Sequence, residues 1–149
     1  MIIVCAALVQ NPMNLGGLCR TCEVMGVQEL VIPDLALTQS WEFRKLAASG
    51  QRWQPLSDCR PEQVVDWLGQ QTDYRRVALT VTGAQQLTDY RFHKKTVLVL
   101  GQELTGVPKD VLAACEDAIA IPRYGQVESL NVHTAAAIAL YEHRRQYPL

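Results

Sequence analysis

The sequence predicts an α/β fold built on a parallel sheet. Five short runs, Ile2–Leu8, Glu29–Ile32, Arg76–Val81, Thr96–Leu100 and Ala118–Ile121, are rich in Val, Ile, Leu and Ala and do not alternate with polar residues. Strands covered on both faces read this way. Helical patterns lie between them, and strand–helix alternation marks the class. Size and composition agree. The chain has 149 residues, of which 48% are hydrophobic and 19% charged. That suits one domain over residues 1–149, able to bury about 70% of its unfolded surface with no disulfide or metal staple.

Taken in order, the first strand leads into a helix over Asn14–Met25. Asn14 suits a helix cap. Pro12 with the pair Gly16 and Gly17 suits a tight turn and close backbone approach. Trp41–Ala48 and Pro61–Gln70 read as helices ahead of Arg76–Val81, with Pro61 in a first helical turn. Pro108–Cys115 reads as a helix after Thr96–Leu100. In the last helix Val132, Ala135, Ala136, Ala139, Leu140 and His143 recur at three- and four-residue steps and share one face. Arg144 and Arg145 lie near its end, where cations favour the helix dipole.

Lys and Arg together number 14 and Asp and Glu 15, a net charge of −1. Global charge therefore gives no attraction for nucleic acid, and such a role needs a local basic patch. No apolar run reaches the roughly 18 residues of a membrane-spanning helix. Met1–Val9 lacks a basic flank and a small-residue cleavage site, so it reads as a strand and not as a signal peptide. The chain has 5 cysteines, an odd number beside an adequate core, which points to free thiols and a reducing, cytoplasmic setting. Cys19-Arg20-Thr21-Cys22 has redox or zinc spacing. No second closely spaced Cys/His pair completes a four-ligand zinc site, and a helical setting differs from the usual redox loop. The thiols read as packing groups, and no metal is expected. His93, His133 and His143 are scattered. Only His133 lies in a loop motif within reach of a site, and a surface or interface position is the plainer reading.

Three loops follow strands, where ligands of such folds sit. Asn11–Arg20 opens a helix with an arginine nearby, which makes either an anion site or a capped helix with a surface cation. In Gly101–Pro108, two glycines and a proline bracket Glu103, either a site acid or an exposed turn residue. In Ile121–Val132, Ser129 and Asn131 suit a helix start, as caps or facing a ligand. No nucleophile elbow or Walker loop is present.

Together the loops resemble a known family. Asn14-Leu15-Gly16-Gly17 with Arg20, Leu100-Gly101 with Glu103 and Gly106, and Ile121-Pro122 followed by Ser129-Leu130-Asn131-Val132 look like the three motifs of the SpoU/TrmH branch of the SPOUT methyltransferases. Their order and spacing agree from Ile2 to Arg145. The stretches 14–31 and 129–142 look closest to the catalytic domain of eukaryotic tRNA guanosine-18 ribose methyltransferases. The resemblance implies a Rossmann-like parallel sheet with a deep C-terminal trefoil knot and a homodimer with the site near its interface. It further implies S-adenosylmethionine as methyl donor and an RNA ribose 2′-hydroxyl as acceptor. On the same basis tRNA is the expected substrate, with the D-loop guanosine favoured and ribosomal RNA the alternative. A non-catalytic RNA-binding protein that kept the fold is the rival. A dinucleotide enzyme is disfavoured because the first loop lacks Gly-x-Gly-x-x-Gly.

By resemblance Arg20 is the catalytic arginine, Asn14 supports it, Glu103 belongs to the site, and Ser129 and Asn131 line it. Leu100, Gly101, Ile121, Pro122 and Leu130 are expected to hold the donor, with Val81 and Thr82 as a further wall. A guanidinium is effectively always protonated, so Arg20 is read as an anion grip, with the hydroxyl proton leaving through phosphate, water or Glu103. Arg123 stands where the family often has Met and could reach RNA phosphate. Arg44, Lys45, Arg52, Lys94 and Lys95 are further candidate phosphate contacts, or simply solvated charges.

Overall fold

Seven strands build the sheet in the computed structural model, which describes residues 1–82 and 85–149. They are β1 (Ile2–Cys5), β2 (Glu29–Ile32), β3 (Leu56–Asp58), β4 (Arg75–Thr80), β5 (Gln85–Gln86), β6 (Thr96–Val99) and β7 (Asp117–Ala120). Their order is β3-β2-β1-β6-β4-β7-β5, and every neighbouring pair is parallel. Five helices accompany them among the described residues: α1 (Pro12–Val24), α2 (Trp41–Ala47), α3 (Val64–Gly69), α4 (Lys109–Ala113) and α5 (Val132–Gln146).

The continuous apolar runs are explained by two cores. Ile2 and Val4 of β1 face one side with Leu15, Leu18, Phe43, Ala136, Ala139 and Leu140 of α1, α2 and α5. Ile3 and Cys5 face the other, with Val64, Leu68 and Val111 of α3 and α4. A strand whose alternate residues both enter apolar layers has no solvent face to mark with polar residues. All five predicted strands are present: Glu29–Ile32 keeps its bounds, β4 and β7 each start and end one residue earlier than expected, and β1 and β6 end early. β1 stops at Cys5 and not Leu8, because the chain turns there and Val9 N–H donates to Ala6 at 3.0 Å. The predicted helix Pro61–Gln70 opens as a 3-10 turn over Pro61–Gln63 before α3.

Two expectations about the first helix need correcting. Asn11, not Asn14, is the cap: its Oδ1 accepts from the backbone N–H of Met13 at 2.8 Å and of Asn14 at 3.4 Å. Proline fits the first helical position because its missing N–H has no partner to lose there, so the helix starts at Pro12. Gly16 and Gly17 do not form a turn either; they lie inside α1 and bring other elements close. A Cβ on Gly16 would sit 2.4 Å from the Phe43 carbonyl oxygen of α2. Gly16→Ala gains up to ~1 kcal/mol of helix propensity. It meets a backbone atom that no rotamer change can move, and such overpacking costs about 1–3 kcal/mol. We expect a net loss of stability, read as a lower thermal midpoint; an unchanged midpoint would count against this contact.

α5 buries the predicted face, with Ala136, Ala139, Leu140 and His143 inside. His143 packs edge-on to Phe92 with ring centroids 5.2 Å apart. Burial pushes its pKa down to about 4, so the ring is neutral. All five cysteines are free. Burial raises the Cys19 thiol to about 11 and Cys22 further, which keeps both protonated and agrees with packing groups. No helix among the described residues is long and apolar enough to cross a membrane.

Candidate active site

Strand order places the site. β6 lies between β1 and β4, and β7 lies beyond β4, so the chain segments leaving these four strands emerge side by side. The segment after β1 meets the one after β6 at Glu103. Its carboxylate accepts from the backbone N–H of Gln10 at 3.2 Å and of Asn11 at 2.8 Å. It also accepts from Asn14 Nδ2 at 3.1 Å. A carboxylate can only accept, which fixes the Asn14 amide nitrogen toward it and leaves Asn14 Oδ1 as an acceptor. That oxygen receives Asn131 Nδ2 at 3.0 Å. Asn131 in turn caps α5, its Oδ1 accepting from the N–H of His133 at 2.9 Å and of Thr134 at 3.3 Å. One hydrogen-bonded line, Glu103–Asn14–Asn131, thus ties the three loops together. The capping reading of Asn131 holds, and its amide nitrogen in addition reaches Asn14.

Partial desolvation works to raise the pKa of Glu103, but the N–H of Asn11, the Asn14 amide and the N–H of Gln10 outweigh it and hold the acid below its ordinary value. The sign follows. A depressed folded pKa means the carboxylate's hold on the loops is complete above its unfolded value and is lost as pH falls through the lower folded one. Glu103→Gln turns half of this acceptor into a donor facing donors. Charge-assisted bonds at this partly exposed position are worth about 1 kcal/mol each. Backbone amide exchange at Gln10 and Asn11, the two N–H groups that donate to Glu103, is therefore expected to rise about five- to tenfold, with the β1 amides unchanged. Equal protection in the variant would remove the anchoring role.

The loop after β6 is held tightly on itself. Gln102 and Gly106 exchange two backbone hydrogen bonds, both 3.0 Å. Gly106 has φ +76°, the left-handed region that favours glycine. A Cβ on Gly101 would lie 2.3 Å from Gly106 C and 2.5 Å from Val107 N. This turn and the segments after β4 and β7 enclose a cavity of about 840 Å³. Leu100, Gly101, Ile121, Pro122, Leu130, Val81 and Thr82 all line it, as do Glu103 and Ser129. Arg123 lines it too and is tied back through Nη1 to the Glu128 carbonyl at 3.2 Å.

Asn14, Arg20 and Asn131 are not among the lining residues. Arg20 is exposed on α1, and a Cβ on Gly50 would lie 3.1 Å from its Cα. His133 is half-buried, its Nε2 2.7 Å from Thr21 Oγ1. Its ring fills the space that a Gly17 Cβ would take, 2.6 Å from Nδ1. It therefore joins α5 to α1 within the protomer, where the sequence favoured a surface or interface position. The cap at Asn11 and the packing roles of Gly17 and Gly50 had no sequence signal beyond residue type. Among the described residues no group of three or more His, Cys, Asp or Glu is placed to hold a metal.

A parallel α/β sheet with a cavity of small-molecule size at its strand carboxyl ends, walled by glycine turns, defines a class of ligand-binding α/β domains. The sequence model of the SpoU rRNA Methylase family matches residues 1–141, and the chain belongs to that family. It is 38% identical over 97% of its length to a tRNA (guanosine(18)-2′-O)-methyltransferase of Mus musculus, of which it spans 9%. It spans about a tenth of the large eukaryotic relatives it matches. The crystal structure of an RNA 2′-O ribose methyltransferase superposes with a TM-score of 0.88 at 26% identity, covering 100% of this chain and 57% of that one. A structure solved in work on 2-OH methylation of C/U34 on tRNA gives 0.82 at 27% identity, covering 97% of this chain and 94% of that one.

Proposed function

We propose that residues 1–149 form one methyltransferase domain that transfers the methyl group of S-adenosylmethionine to a ribose 2′-hydroxyl of tRNA. Guanosine 18 of the D-loop is the favoured target, in line with the mouse relative. The carrying observation is the Glu103–Asn14–Asn131 line, which joins all three motif loops at the rim of a cavity lined by the expected donor-binding residues. The cavity fits the donor. Its volume of about 840 Å³ is within the range of small-molecule sites, roughly 300–1,000 Å³. Leu79, Leu100, Ile121 and Leu130 offer apolar walls to an adenine, and Glu103 and Glu128 offset a positive sulfur. When bound, S-adenosylmethionine supplies a methyl group already activated on a sulfonium, so the protein's task is positioning and charge.

Arg20, permanently cationic, grips an RNA phosphate and stabilises negative charge developing on the attacking oxygen. Glu103, taken up by three donors and held ionised, is a poor proton acceptor and serves as a positioning residue. The hydroxyl proton leaves to phosphate or water. We further propose the deep trefoil knot, supported by the insertion of β6 between β1 and β4. The segments 100–107 and 121–130 are its crossing loops.

A homodimer completes the site. Within one protomer Arg20 lies off the cavity wall, which supports its serving the cavity of the partner. Mixing Arg20→Ala and Gly101→Ala subunits, each inactive alone, is then expected to restore about a quarter of wild-type activity, since half the dimers are mixed and each has one sound site. No recovery would place the arginine and cavity of each site in one protomer. The test of the function itself is donor binding by calorimetry, followed by mapping of ribose methylation on tRNA transcripts. Methylation at guanosine 18 supports the reading. Methylation at position 34, as for the C/U34 neighbour, or on ribosomal RNA changes the target. Absence of donor binding overturns the reading and leaves a non-catalytic RNA-binding protein.

A further inference from the structure

We propose that α2 and the turn after it form a stacking surface for unpaired bases of the RNA, beside Arg20. Trp41 and Trp53 are its platforms, and Arg44, Lys45 and Arg52 are its phosphate contacts. This rests on RNA being the substrate and adds the surface that holds the nucleotides flanking the target.

The two indoles are the first observation. Trp41 is 68% exposed and Trp53 70%, whereas the third tryptophan, Trp67, packs against a core. Large aromatic faces left in water at two ends of one short segment have no packing role in this protomer. Charge is the second. Residues 41–53 hold three cations, Arg44, Lys45 and Arg52, all exposed, against the single anion Glu42. The segment is therefore net +2 in a chain that is net −1. It is the local basic patch that a weakly acidic protein needs in order to meet a polyanion.

Placement is the third. Gly16 brings the Phe43 backbone against α1, and Gly50 brings the following turn against the Arg20 Cα. Trp41 stands two residues before Phe43 and Trp53 three after Gly50, so both belong to the unit that flanks Arg20. Lys45 Nζ lies 4.8 Å from the Trp41 ring centroid, a cation–π contact that steadies the indole while leaving it largely exposed. Exposed aromatics interleaved with cations are the chemistry of single-stranded nucleic-acid binding. Bases stack on the rings whatever their identity, and the cations track the phosphates. A folded protein partner would favour the same indoles but has no need of three cations between them.

The experiment uses the full chain with Trp67→Phe as background, so that emission reports only Trp41 and Trp53. Titration with a tRNA transcript, and with a 12-nucleotide single-stranded RNA as probe, is expected to quench that emission. Trp41→Ala and Trp53→Ala are each expected to weaken RNA binding by about 5- to 100-fold, the usual loss for one stacked base. Trp→Phe at either position is expected to recover most of it, and donor affinity to stay at the wild-type value. Unchanged emission at saturating RNA, or alanine variants that bind RNA normally, would overturn the proposal. So would a fall in oligomer mass in the alanine variants without loss of RNA affinity, which would make the surface a protein interface. If wild type methylates RNA yet the indoles do not respond, only this surface falls. If wild type binds neither donor nor RNA, the functional reading falls with it.

Discussion

Arg20→Lys is expected to lower turnover by about two to three orders of magnitude, the usual loss when a donor to developing oxyanion charge is removed. Lysine keeps the charge and most of the reach. It loses the planar fork with which a guanidinium holds a phosphate and a second oxygen together. Because Arg20 is exposed and its side chain supports no core, the thermal midpoint and donor affinity should remain at wild-type values. The loss should then fall on turnover more than on donor binding, as expected for an interaction made mainly in the transition state. Single-turnover methyl transfer to a tRNA transcript measures it directly. Near-normal turnover in Arg20→Lys would reduce the residue to a diffuse positive charge and remove the proposed grip.

Gly101→Ala is expected to weaken S-adenosylmethionine binding at least about 100-fold, equivalent to roughly 2.7 kcal/mol at 1.4 kcal/mol per decade. The added Cβ would meet Gly106 C and Val107 N at 2.3 and 2.5 Å. Both are backbone atoms, so the loop must move as a unit. Movement breaks the paired hydrogen bonds between Gln102 and Gly106 and shifts a wall of the cavity. The sheet itself need not respond, since β6 ends at Val99. Calorimetry should therefore show lost donor heat with a thermal midpoint lowered only slightly. Donor binding within about threefold of wild type would mean that this turn does not shape the pocket.

Five of the strands and all five helices were legible because both faces of the sheet are apolar and each helix breaks that pattern. The two strands that were missed are β3 and β5, the outermost pair. Leu56-Ser57-Asp58 and Gln85-Gln86 carry no apolar run, since an edge strand has less to bury. The site's residue types were legible for a similar local reason. Glycines, a proline and a carboxylate clustered after a strand constrain a turn wherever the rest of the chain goes.

By itself the sequence determined the five inner strands, the five helices and which strand-end loops are candidates for a site. Tertiary structure alone decided how those loops meet: Glu103 and Asn14 bond across 89 positions, and Asn131 and Asn14 across 117. It also moved the cap from Asn14 to Asn11, turned Gly16 and Gly17 into helix contacts, and set Arg20 off its own cavity wall. The physical reason is range. Periodicity and turn chemistry act over a few residues, whereas hydrogen-bond partners and close backbone approaches are fixed only when distant strands have taken their order in the sheet.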